Sequence, residues 1–276
     1  SETINALVGS GTVQAFFSNN TLAVGGANGS GTFSGVLNQT GGTLSLVKAG
    51  TGTQVLAGAN TYTGSTTVSA GRLAVNGSLG NTAVAVQNGA ALGGSGVIGG
   101  TVSVLAGGTL SPGNSIESLA TGATTFSGSS TFAYEVNSSL LGSLGTAADL
   151  LVVNGDLSIG SGSILSITDL NPSPAPFVKD TTIFALINYS GTWNNGLFNY
   201  NGSPLADGGR FFVGSQEWEI DYNRASAAGL DNFTGDYVSG SFVAIMAVPE
   251  PTSAALAAAG AAAACLWTVA RRRKRA

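Results

Sequence analysis

Histidine is absent from the 276 residues, and cysteine occurs once, as Cys265. Without histidine no Ser-His-Asp triad can form, and the commonest general base and metal ligand is missing. A single cysteine allows no disulfide within the chain, so stability must come from packing and backbone pairing. Charge is scarce too: 9% of residues are Asp, Glu, Lys or Arg, against roughly 25% in an average soluble domain. The net charge of −4 hides an asymmetry, because five of the ten basic residues lie at 271–275. Residues 1–250 therefore hold five basic groups against fourteen acidic ones. Such a body lacks the basic footprint that nucleic acid requires, and an anionic membrane surface repels it. The composition points to no metal and no cofactor.

What is abundant is glycine, 42 residues, about twice the usual share of roughly 7%. Apolar residues are 43%, enough for a core. Glycine costs a helix about 1 kcal/mol relative to alanine, so this composition favours short strands joined by tight turns. Thr82-Ala83-Val84-Ala85-Val86 and Thr101-Val102-Ser103-Val104 alternate with period two, as strands do.

The body also repeats itself. Val86, Gly89 and Leu92 are matched 18 residues later by Val104, Gly107 and Leu110. Val68 and Gly71 precede Val86 and Gly89 by the same 18, with Leu73 one residue early. The pattern returns as Ile159, Gly162 and Leu165, and in degenerate form as Phe126, Ser129 and Phe132. This reads as strand, sharp bend, strand, with glycine supplying positive φ at the bend. Each turn cannot bury its apolar face alone, so successive turns must stack. The expectation is an all-β fold, a right-handed parallel β-helix (β-solenoid). An antiparallel sandwich is the alternative, but it has no reason to keep one period.

Leu46-Val47-Lys48-Ala49-Gly50-Thr51-Gly52-Thr53-Gln54-Val55-Leu56-Ala57-Gly58-Ala59-Asn60-Thr61-Tyr62-Thr63-Gly64 is very similar to the autotransporter-associated β-strand repeat. The likeness continues through Thr67 to Leu73 and reaches Leu110-Ser111-Pro112-Gly113-Asn114-Ser115. It implies a β-helical passenger region displayed on a bacterial surface. Nothing after the repeats reads as the membrane barrel of a true autotransporter.

The C-terminal end has three elements. Val248-Pro249-Glu250-Pro251 comes first; the prolines make it extended and readable by an enzyme. Ser253 to Ala270 follows without a charge, at the short end of the roughly 17–25 residues that span a bilayer. Arg271-Arg272-Arg273-Lys274-Arg275 closes it as a stop-transfer cluster. This arrangement resembles the PEP-CTERM sorting signal of Gram-negative bacteria, with Pro249, Glu250 and Pro251 as its motif. The resemblance implies an exosortase-type processing enzyme as partner, an inner-membrane intermediate anchored through 253–270, and delivery to the cell surface or extracellular matrix. The chain thus divides into solenoid repeats over 1–145, terminal turns and a β-rich cap over 146–247, and a sorting signal with a C-terminal transmembrane helix over 248–276.

Among acidic residues, Glu217, Glu219 and Asp221 share one face of a candidate strand, with Trp218 and Ile220 on the other. Three carboxylates at period two could hold Ca²⁺, or two could act as an acid and base in glycoside cleavage. The blander reading is a solvated strand face over a buried one. Asp231, Asn232 and Asp236 fail the spacing of a calcium-binding EF-hand loop. Gly93-Gly94-Ser95-Gly96 lacks the lysine of a phosphate-binding loop, and Arg72, Arg210 and Arg224 are scattered singly. The expected role is a structural or adhesin-like surface protein and not an enzyme, with extracellular polysaccharide as a candidate partner. A carbohydrate-active β-helical enzyme and a passive envelope spacer are the alternatives.

Overall fold

Strand Leu44–Lys48 buries Leu44, Leu46 and Lys48 and leaves Ser45 and Val47 outside. Period-two alternation of this kind recurs along the whole body, and it sorts side chains into inward and outward columns. The computed structural model describes residues 1–140, 147–172, 182–225 and 241–248. Among these residues the chain is all strand, apart from one 3-10 turn at Ser138–Leu140. It coils as a β-solenoid of the right-handed type.

Three long sheets form its faces, of eight, nine and nine strands, beside a two-stranded sheet of Thr12–Phe16 and Val36–Thr40. From strand Leu44–Lys48 each turn gives one strand to each face, and neighbours on the first face pair in parallel from Glu2–Ile4 onward. Parallel stacking persists to Asn199–Tyr200 on the second face and Ile183–Tyr189 on the third. Beyond these the sheets finish in antiparallel strands: Asn199–Tyr200 with Ser203–Pro204, and Arg210–Val213, Gln216–Arg224 and Ser241–Ala247.

The core is a stack of inward columns. On the first face Val24, Lys48, Val68, Val86, Val104, Phe126 and Ile159 lie in register. On the second, Leu73, Leu92, Leu110, Phe132 and Leu165 do the same. The 18-residue period holds from Val68 to Val86 to Val104. It then stretches to 22 at Phe126 and 33 at Ile159, because insertions enter the turns and leave the strands in register. Leu73 is early because Gly71 already belongs to its strand and pairs with Ala90, so Leu73 still lands on Leu92.

The bends explain the glycine at the repeat's centre. Gly89 and Gly107 have φ of 74° and 75°, and Ser129 takes the same place at 62°. Gly89 N–H donates to Gly107 O, Gly107 N–H to Ser129 O, and Ser129 N–H to Gly162 O. The bend residues thus form a ladder of their own, and Ser129 accepts a left-handed conformation that a side chain disfavours by roughly 1–2 kcal/mol.

The stretch Thr32–Leu37 belongs to two strands, Gly31–Phe33 and Val36–Thr40, broken by a corner at Gly35. A Cβ on Gly35 would lie 1.8 Å from Gly11 O. The same holds for Gly58 against Gly35 O (1.8 Å), Gly77 against Gly58 O (2.2 Å) and Gly96 against Gly77 O (2.0 Å). Five glycines therefore stack at one corner, each the floor of the next.

No helix among the described residues is long and apolar enough to cross a membrane. The proposed span at 253–270, Pro249, Glu250, Pro251 and the basic residues 271–275 lie outside the described residues, as do Asp231, Asn232 and Asp236.

Candidate binding surfaces

Arg210 decides the chemistry of the acidic row. Trp218, Ile220 and Tyr222 of strand Gln216–Arg224 are buried, while Glu217, Glu219 and Asp221 lie on its half-exposed side. Pairing with Arg210–Val213 sets Arg210 opposite Glu219. Its Nε donates to Glu219 Oε2 at 3.1 Å, and Nη1 lies 3.9 Å from Glu217 Oε2. Asp221 Oδ1 accepts the Asn223 N–H at 3.1 Å. Two of the three carboxylates are thus engaged by one guanidinium. Among the described residues no group of three or more acidic or cysteine side chains is placed to hold a metal ion.

Arg72 is not a solvated single. It lies along the outside of the second face over Gly93, where a Cβ would come within 2.3 Å of its Nη2. Nη2 donates to Gly113 O at 2.5 Å, 41 residues further on. Gly94 and Gly113 also exchange N–H···O bonds, so the 113–115 loop is strapped to the wall.

Lys48 stands in an inward column between Val24 and Val68 and is fully buried. Its Nζ donates to Ala49 O at 2.5 Å, Gly50 O at 2.8 Å and Ala70 O at 3.2 Å. Burial lowers its pKa, and the three carbonyls compensate the ammonium for lost water. Gln54 is a second polar bracket: its amide accepts from Leu7 N–H and donates to Leu7 O and Gly31 O.

Asp149 is fully buried where the third face begins its strand Leu150–Val153. Oδ1 accepts the Glu117 N–H at 3.1 Å and Oδ2 the Glu135 N–H at 3.0 Å. Burial pushes its pKa up to about 8, against the pull of those two bonds and with a further push from the Glu135 and Glu117 charges. An unfolded aspartate titrates near 3.9. Between about pH 4 and 8 the unfolded chain releases a proton that the folded chain keeps. Asp149 therefore erodes stability as pH rises through that window, and the native state is favoured at its acid end. We expect the stability advantage of wild type over Asp149→Asn, measured by urea unfolding, to shrink from pH 5 to pH 8, by at most about 1.4 kcal/mol per pH unit. A constant difference would show that the carboxyl is ionised in the fold.

Outside, the first face presents Thr3, Ala23, Val47, Thr67, Ala85, Ser103, Thr125 and Ser158 in one column. At about 4.8 Å per strand it runs roughly 34 Å without a charge. On the second face, strand Ile164–Asp169 continues past its short neighbour Asn199–Tyr200, which pairs with it at Ile164 alone. A cleft of about 400 Å³ opens there, lined by Ile164, Ser166, Ile167, Asn199, Tyr200 and Asn201 among others. None of these six residues stands in a motif; the Asn199-Tyr200-Asn201-Gly202 turn is their one signal in the sequence.

Residues 46–75 match the family model described as the passenger-associated-transport-repeat. In the fold this stretch runs from strand Leu44–Lys48 to the end of strand Gly71–Val75, about one and a half turns. The chain is also similar to the protein named Adhesin BmaC autotransporter of Brucella suis biovar 1 (strain 1330), 38% identical over 106 residues. That alignment covers 38% of this chain and 3% of the Brucella protein, so the chain spans a small fraction of its relative's length. Residues 46–75 carry an autotransporter-type passenger repeat, and the repeat is built into the turns of a β-solenoid.

Proposed function

We propose that this chain is an exported structural or adhesin-like protein of a Gram-negative cell surface or extracellular matrix. The observation that carries the reading is the uncharged outward column from Thr3 to Ser158 on a solenoid built of passenger-type repeats. A parallel solenoid gives length and a regular face from few residues. Small hydroxyl and methyl groups make that face suited to contact with matrix rather than to chemistry. The similarity to an autotransporter adhesin supports the same reading. The antiparallel strands at the C-terminal end serve as the cap that keeps open edges from aggregating.

Sorting runs through Val248, Pro249, Glu250 and Pro251, with the apolar span 253–270 as a temporary anchor, residues 271–275 as the stop and an exosortase-type enzyme as the processing partner. The reading predicts that antibodies to the body label intact cells of the native host. It also predicts a mature C-terminus upstream of Arg271 by mass spectrometry. Labelling confined to permeabilised cells would sink surface display, and an intact Arg275-Ala276 end would sink processing. Release of reducing sugar from a polysaccharide, abolished by Glu219→Gln, would instead establish the carbohydrate-active enzyme.

A further inference from the structure

We propose that the cleft beside strand Ile164–Asp169 is a subsite for an uncharged polysaccharide chain. This deepens the surface-contact reading and rests on it. The cleft's volume of about 400 Å³ falls within the range of small-ligand sites. None of its nine lining residues is charged. Its chemistry is one aromatic ring and two isoleucines, set against two carboxamides and a serine hydroxyl. Apolar surface with a few fixed donors and acceptors suits a ligand that has C–H faces and hydroxyl rims. An acidic glycan would find no cation in the lining. Charges close by in sequence are already engaged: Asp169 accepts from the Ser138 N–H and hydroxyl, and Arg210 is paired with Glu219.

The site is also preformed. Tyr200 O–H donates to Phe212 O at 2.7 Å, and its ring packs on Phe211 with centroids 4.7 Å apart. Both fix the ring, so little rotamer entropy is lost on binding. Asn201 sits at the tip of a tight hairpin with φ of 48°. Ser166 and Thr168 are exposed on this strand, and among the described residues it has no strand partner on that edge beyond Ile164, so backbone groups stand along one wall.

The test uses the purified full chain with xylan, dextran and laminarin as neutral probes and polygalacturonate as the acidic one, read by titration calorimetry. At least one neutral polymer should bind, and more tightly than polygalacturonate. Tyr200→Ala should weaken that binding at least tenfold, and Ser166→Trp, which fills the cleft, should abolish it. Tyr200→Phe keeps the ring and should stay within about threefold. Melting curves of each variant check that the fold is intact. Neutral binding untouched by Tyr200→Ala and Ser166→Trp would put the contact elsewhere and overturn the cleft, leaving surface display standing. Tighter binding to polygalacturonate, no neutral binding by wild type, or displacement of the sugar by an extended peptide pairing on the edge would each overturn it as well. Failure of surface display itself is read separately, by the antibody labelling of intact cells.

Discussion

Gly58→Ala should destabilise the protein by on the order of 4 kcal/mol or more, placing it among the rare severe single substitutions. The new Cβ would stand 1.8 Å from Gly35 O, a backbone atom that no side-chain rotation can move away. The two turns must separate at this corner. That separation strains the bonds made by Gly58 O itself, which accepts from Ser78 N–H at 3.1 Å and Asn60 Nδ2 at 3.0 Å. Asn60 is buried and also accepts from Leu37 N–H, so the disturbance crosses three turns. Gly89→Ala is the control. Gly89 has a positive φ but open space around its would-be Cβ, so only backbone strain of roughly 1–2 kcal/mol applies. Urea unfolding of the two variants compares close approach with conformation directly. Equal losses would mean that the turns at this corner stand further apart than 1.8 Å implies.

Phe132→Ala should cost about 3–5 kcal/mol, the usual range for emptying an aromatic site in a core. Phe132 is fully buried between Leu110 and Leu165 in its column. Its ring lies 5.6 Å from that of Phe126, 5.9 Å from Phe198 and 6.2 Å from Tyr134. These aromatics fill the core just where the spacing between turns lengthens, so a cavity there has rigid walls and little means to collapse. Phe132→Leu should cost less, about 1–1.5 kcal/mol, because the register already stacks leucines above and below. Phe212→Ala, at a residue 58% exposed, should stay within about 0.5 kcal/mol. A loss for Phe132→Ala no larger than that for Phe212→Ala would remove the aromatic plug from the account of stability.

Several features were legible in the residues because they repeat. Val68, Val86 and Val104 announce stacked strands through their spacing, and the structure pairs them so. Gly89 and Gly107 were readable as bends because both sit at one offset in that repeat. Trp218 and Ile220 against Glu217 and Glu219 follow from alternation alone. Lys48 was half-legible: Leu44, Leu46 and Lys48 share a parity that points inward. Yet parity cannot say that three carbonyls from two turns converge on the ammonium.

The sequence by itself determined the solenoid: its strand period, its bends, its lack of charge and its match to a passenger-type repeat are all local or periodic properties. Tertiary structure alone decided the rest, since it depends on which residues meet across turns of unequal length. Stacking set Gly58 on Gly35 at a spacing of 23 and Gly77 on Gly58 at 19, so no single period reveals the corner column. It carried Arg72 across to Gly113, set Arg210 between two glutamates, and left the edge of Ile164–Asp169 open beside Tyr200. Contacts between turns are fixed by the sum of every insertion between them, and a sequence pattern of one turn does not contain that sum.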